Sequence, residues 1–172
     1  MDLFLQSIER SAYRMALFAS GEREDALDLV QDAMYKFVDK YQDKPREDWK
    51  PLFYKVLHNG IRDYGRRKTV RRCLRRFGIG RAEDEGDELE KIADTKSPDP
   101  EHRAGVGQAY AALQEAIFLL PDRQRQAFLL RGWEELSVAD TAKVMGCTEG
   151  SVKTHYFRAV QVLQRQLGDY WP

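Results

Sequence analysis

The sequence predicts an all-α chain: two small helical domains joined by a flexible acidic linker. Apolar residues recur at three- and four-residue steps in both halves, and no alternating run bounded by hairpin turns competes with them. Between the halves, two blocks of opposite charge stand side by side. The 172 residues hold 28 Lys plus Arg and 28 Asp plus Glu, so a neutral total conceals that segregation. At 42% apolar, the chain can bury one core or two small ones.

Phe4, Ile8, Ala12, Met15 and Ala19 mark a first helix, which Ser20-Gly21 breaks. Ala26, Val30, Ala33, Phe37 and Tyr41 mark a second. Off that stripe lie Asp25, Asp28, Gln31, Asp32, Lys36 and Asp39, an acidic face suited to water or to a basic partner. Gln42 to Pro51 is polar and bounded by proline, which predicts a loop. Leu52, Val56, Leu57, Ile61 and Tyr64 then mark a third helix.

That helix runs into a basic block: Arg62, Arg66, Arg67, Lys68, Arg71, Arg72, Arg75, Arg76 and Arg81 are opposed only by Asp63. Like charges so close repel unless a polyanion relieves them, so the block reads as a nucleic-acid surface. The sign then reverses through Glu83, Asp84, Glu85, Asp87, Glu88, Glu90, Asp94, Asp99 and Glu101. With Gly86, Pro98 and Pro100 and little apolar periodicity, that stretch cannot bury enough surface to offset the entropy of ordering. The expected organisation is a domain over 1–81, a linker over 82–104 and a second domain over 105–172.

In the second half, Val106, Tyr110, Leu113 and Ile117 make one helix, and Leu120-Pro121-Asp122 ends it and starts the next, which carries Ala127, Phe128, Leu130 and Trp133. Ser137-Val138-Ala139-Asp140 has the form of a capping box and opens a short helix to Met145. Gly146-Cys147-Thr148 is a tight turn in which glycine can take positive φ and threonine can cap the last helix, Glu149 to about Leu167. Two helices across such a turn form a helix-turn-helix. Val152, Tyr156, Ala159, Val160, Leu163 and Leu167 share the inner sector of the last helix. Thr154, Phe157, Arg158, Gln161 and Arg165 oppose them, flanked by Ser151, Lys153 and His155. Such side chains suit a major groove: cations for guanine edges or phosphates, hydroxyls that adapt, and a ring for the thymine methyl.

Cys73 and Cys147 lie far apart, without Cys or His neighbours at ligand spacing, and His58, His102 and His155 are equally scattered, so neither a metal site nor a disulfide framework is expected. No phosphate loop, HExxH or GxSxG is present, so no cofactor and no enzyme activity are expected. No run approaches the ~18 apolar residues of a membrane span, and the first residues lack the form of a signal peptide. A cytoplasmic location without membrane insertion is the expectation.

Taken in order, these segments resemble the bacterial extracytoplasmic-function sigma factors, of the sigma-70 family, along nearly the whole chain. The matching words are Asp25-Ala26-Leu27-Asp28-Leu29-Val30-Gln31-Asp32, Tyr54-Lys55-Val56-Leu57-His58-Asn59, Asp63-Tyr64 with Arg66-Arg67, Leu119-Leu120-Pro121, Leu136-Ser137, Met145-Gly146-Cys147, Gly150-Ser151-Val152-Lys153 and Arg158-Ala159. Many relatives place a Trp before the Tyr54-Lys55 word, where this chain has Pro51-Leu52-Phe53. The resemblance implies that a sigma region 2 domain docks on the clamp helices of core RNA polymerase through Asp28, Gln31 and Asp32. It implies that Asn59, Arg62, Tyr64, Arg66, Arg67, Lys68 and Arg71 meet the opened minus-ten element. It further implies that a sigma region 4 domain reads the minus-thirty-five element of promoter DNA with Ser151, Lys153, Thr154, His155, Phe157 and Arg158. An anti-sigma factor is a further partner of many such proteins. Two other readings fit parts of the pattern: a helix-turn-helix regulator that acts without polymerase, and a sigma-mimicking partner-switch protein.

Overall fold

A computed structural model of the protein describes the backbone of residues 1–76 and 111–168, and the side chains of all of these except 71–76. The described residues are helical, with no strand among them. The chain divides into two compact units, Met1–Glu90 and Lys91–Pro172. The expected linker over 82–104 and the expected domain ends at 81 and 105 lie outside the described residues, as do Arg81, Val106 and Tyr110.

In the first unit, α1 (Asp2–Ser20) buries Ile8, Ala12, Met15, Ala16 and Phe18 along one face. It stops at Gly21, whose φ of 80° lies in the left-handed region that glycine enters without steric cost, and whose amide donates to the Leu17 carbonyl at 2.9 Å. The second helix, α2 (Arg23–Tyr41), buries Ala26, Val30, Ala33 and Phe37. Both stripes follow the expected spacing.

The third helix departs from expectation. The loop predicted over 42–51 is much shorter, because α3 spans Arg46–Arg76 and holds Pro51 inside it. Proline in a helix interior removes one backbone bond and costs about 3 kcal/mol. Here Phe53, Tyr54 and Leu57, just beyond it, are fully buried, and each large apolar side chain contributes about 1.5 to 3 kcal/mol. At the helix start, the Asp48 amide donates to the Pro45 carbonyl at 3.0 Å and the Trp49 indole donates to the Lys44 carbonyl at 2.7 Å. Trp49 also lies 5.5 Å from Phe4 and 6.5 Å from Phe37, ring centre to ring centre. Phe37 sits at the hub of this cluster, 5.7 Å from Phe4, 5.7 Å from Phe53 and 5.8 Å from Tyr41. Tertiary aromatic packing thus overrides the local proline signal.

In the second unit, α4 is described over 111–119 and buries Ala116 and Ile117, with Leu120 buried just after it. The Pro121 carbonyl accepts the Gln124 and Arg125 amides and opens α5 (Asp122–Phe128). The next turn widens into a π-helix, Leu129–Trp133, in which the Glu134 amide reaches the Leu129 carbonyl at 3.0 Å. Leu129 and Leu130, which open this turn, are both buried. A regular helix was expected here; the sequence carries no period that announces the wider turn.

The turn leaves Glu135 exposed at a φ of 54°, the one non-glycine positive φ among the described residues. A left-handed residue with a Cβ costs roughly 1 to 2 kcal/mol, and glycine there offsets this by its larger freedom in the unfolded chain. Glu135→Gly is therefore expected to stabilise the second unit by about 0.5 to 1 kcal/mol, read as a raised Tm in thermal melts.

The last two helices, α6 (Val138–Met145) and α7 (Glu149–Leu167), form the helix-turn-helix. The Ser137 hydroxyl accepts the Asp140 amide at 3.0 Å and donates to the Asp140 carboxylate at 2.7 Å. That hydroxyl, together with Lys143 at 3.0 Å, holds the Asp140 carboxyl below its ordinary pKa. Gly146 takes a φ of 62°, and Thr148 caps α7 by accepting the Ser151 amide at 3.2 Å. Arg123 on α5 donates to the Met145 carbonyl at 2.8 Å, tying the turn to the unit. Val152, Ala159 and Leu163 of α7 are fully buried, and Leu167 nearly so.

Candidate nucleic-acid and docking surfaces

On α2, Asp28, Gln31 and Asp32 are all exposed. Asp32 pairs with Lys36 at 2.6 Å, and both side chains are about half exposed, so the pair leaves the face largely acidic. Beside them stand two side chains that sequence reasoning missed: Leu27, 50% exposed, and Tyr35, 75% exposed. Stepping about 100° per residue puts both near Gln31 and off the buried stripe, which was the available signal.

The described cations of the basic block do not form one strip. At about 100° per residue, Asn59, Arg62 and Arg66 fall on one stripe of α3, Tyr64 and Lys68 fall well round the helix, and Arg67 falls between the two. Arg62, Arg66 and Arg67 are exposed, and Asn59 and Tyr64 are half-buried. Arg66 pairs loosely with Asp63 at 3.5 Å. The Tyr64 hydroxyl donates to the Asp25 carboxylate on α2 at 2.6 Å, and Lys68 donates to the Ser20 carbonyl at 3.3 Å. Arg71 stands on the same helix; its side chain, like those of Arg72, Arg75 and Arg76, lies outside the described residues.

On α7 the expected residues are brought together. Thr154, Phe157, Arg158, Gln161 and Arg165 are exposed on the face opposite the buried Val152, Ala159 and Leu163. Phe157 is 61% exposed, a phenyl ring presented to solvent. Lys153 is exposed and His155 half-buried, one on each flank. The Thr154 hydroxyl donates to the Gly150 carbonyl at 2.9 Å, and the Ser151 hydroxyl is 2.9 Å from that of Thr148. Both hydroxyls therefore already hold an intrahelical partner, which leaves Lys153, Phe157 and Arg158 as the freer contacts.

Among the described residues, no group of His, Cys, Asp or Glu is arranged to hold a metal ion. None of the described helices is long and apolar enough to cross a membrane.

The arrangement has counterparts in known proteins. The family model described as Sigma-70, region 4 matches residues 110–163, which include α5, α6 and most of α7. The RNA polymerase sigma factor SigV of Bacillus subtilis is 28% identical over 156 residues, covering 90% of this chain and 83% of the relative. The ECF RNA polymerase sigma factor SigM of Mycobacterium tuberculosis is 29% identical over 97% of this chain and 76% of the relative. Among solved structures, the sigma factor RpoE of Bartonella quintana, crystallised with the anti-sigma factor NepR, aligns with a TM-score of 0.65 at 24% identity, over 97% of this chain and 98% of that one. That last likeness establishes the shared fold.

Proposed function

We propose that this chain is an extracytoplasmic-function sigma factor that binds core RNA polymerase and directs it to specific promoters, a reading supported by its similarity to sigma factors along most of its length. One observation carries the reading: the exposed cation-and-ring face of α7, set outward by a capped helix-turn-helix inside the segment that matches sigma-70 region 4.

In this reading residues 1–81 serve as the core-docking and minus-ten domain, 82–104 as a tether and 105–172 as the minus-thirty-five domain. Asp28, Gln31 and Asp32 offer carboxylates and an amide to a basic coiled coil, a complementarity that steers docking and fixes its register. Asn59, Arg62, Arg66 and Arg67 supply a cationic track for a separated strand. Lys153, Phe157 and Arg158 meet base edges and phosphates of the upstream element. Tethering raises the effective concentration of the second domain once the first has engaged. The chain performs no chemistry of its own, since polymerase transfers the nucleotides, and it works in the cytoplasm. RpoE, similar in fold, is seen with an anti-sigma factor, which supports a partner of that class here.

Run-off transcription with purified core polymerase tests the whole: the chain is expected to redirect initiation to a defined promoter set. A helix-turn-helix regulator independent of polymerase would bind duplex DNA and leave core initiation unchanged. At the level of one residue, Arg158→Ala is expected to weaken upstream-element binding by about 1 to 3 kcal/mol and to relax its sequence preference, as for a lost bidentate base contact. Footprinting on promoter variants checks this; equal loss on every sequence would reassign Arg158 to a phosphate.

A further inference from the structure

Resting on that reading of the first unit, we propose that Tyr64 is a positioning residue rather than a stacking platform for bases. Together with Asp25 and Lys68 it forms a latch that sets the rotation of α3 and so aims the cationic stripe outward.

Apolar packing along α3 ends early. Phe53, Tyr54, Leu57 and His58 are buried, residues 59–61, 63 and 64 are half-buried, and every residue from 65 to 70 is exposed. Apolar burial therefore thins from Ile61 onward, and polar contacts take over. The Tyr64 hydroxyl donates to the Asp25 carboxylate at 2.6 Å, across 39 residues of chain, at the length expected of a charge-assisted O–H···O bond. One turn on, the Lys68 ammonium lies 5.8 Å from the centre of the Tyr64 ring, close enough for a cation–π attraction. The same ammonium donates to the Ser20 carbonyl at the C-terminal end of α1, where the helix dipole favours a cation. Ser20 is itself held, its hydroxyl donating to the Glu22 carbonyl at 3.0 Å and accepting the Glu22 amide at 3.3 Å around the Gly21 corner.

Three elements thus meet on Tyr64 and Lys68: the end of α1, the start of α2 and the emerging part of α3. The consequence is angular. With Tyr64 and Lys68 turned to the α1–α2 corner, helical spacing places Asn59, Arg62 and Arg66 away from it. Asp25 also stands one turn before Asp28 on α2, so the helix that bears the docking carboxylates is the one that orients the track.

The test uses the full chain, a labelled oligothymidylate of about 12 nucleotides as a sequence-neutral probe, and capture by purified core polymerase as a separate readout. Tyr64→Phe, which keeps the ring, and Asp25→Ala are each expected to weaken oligonucleotide binding about fivefold, as for one lost hydrogen bond, and to do so non-additively when combined. Both should also make the salt dependence shallower by about one phosphate contact, a change that loss of folded protein alone does not produce. Asp25→Asn keeps a neutral acceptor oxygen and is expected to recover part of the loss seen with Asp25→Ala. The proposal is overturned if Tyr64→Phe binds normally while Tyr64→Ala does not, which would make the ring a stacking surface. It is equally overturned if both Asp25 variants bind more tightly, which would make Asp25 a mere repelling charge. Failure of the unaltered chain to capture core polymerase would count against the family-based function and leaves these comparisons intact.

Discussion

Phe37→Ala is expected to cost the first unit about 3 to 5 kcal/mol, enough to consume much of the total stability of a small domain. Phe37 is fully buried and its ring meets those of Phe4, Tyr41, Trp49 and Phe53, so truncation strips one partner from four aromatic contacts at once. The cavity would open beside the first turns of α3, where Pro51 already costs a backbone bond. The helix start between Arg46 and Pro51 should therefore loosen before the rest. Urea titration followed by circular dichroism checks the total, and Phe37→Leu, which restores most of the volume, should recover more than half of the loss. A change below about 1 kcal/mol for the alanine variant would mean that the aromatic cluster is not the core.

Reversing charge at both Asp28→Lys and Asp32→Lys is expected to abolish capture by core polymerase, by about 100-fold or more, because like charges placed opposite one another cost several kcal/mol at an interface. Folding should survive. Both side chains are exposed, and the one contact disturbed is the Asp32–Lys36 pair, worth about 0.3 to 0.5 kcal/mol at this helical spacing. Melting curves establish the second point and equilibrium binding to purified core enzyme the first. The loss should be largest at low salt, where opposed charges are least screened. Unchanged capture would remove the docking assignment from this face and leave the role of α7 untouched.

Some features were legible because their causes are local. Gly21 and Gly146 end helices where no Cβ is tolerated cheaply, and Ser137 and Thr148 satisfy helix-start amides within three residues, so a short window of sequence contains the whole interaction. The buried stripe of α7 was legible for a related reason, since a periodic pattern over 19 residues outvotes any one of them. Pro51 misled because its cost is local while the compensating burial of Phe53, Tyr54 and Leu57 depends on residues from two other helices. The basic block misled differently. Counting cations gives a sum without a direction, and only the contact of Lys68 with the Ser20 carbonyl, beside the Tyr64–Asp25 pair, shows that this cation is engaged at the α1–α2 corner and off the stripe of Arg62 and Arg66.

The π turn at Leu129–Trp133 has a genetic corollary. Removing one residue there would leave composition, charge and hydropathy almost untouched, yet it would take away the residue the wide turn accommodates and with it the five-residue bond from the Glu134 amide to the Leu129 carbonyl. Substitutions in this stretch are graded in effect, whereas single-codon deletions are not, so lineages descending from this gene should vary in spelling along the segment while keeping its length.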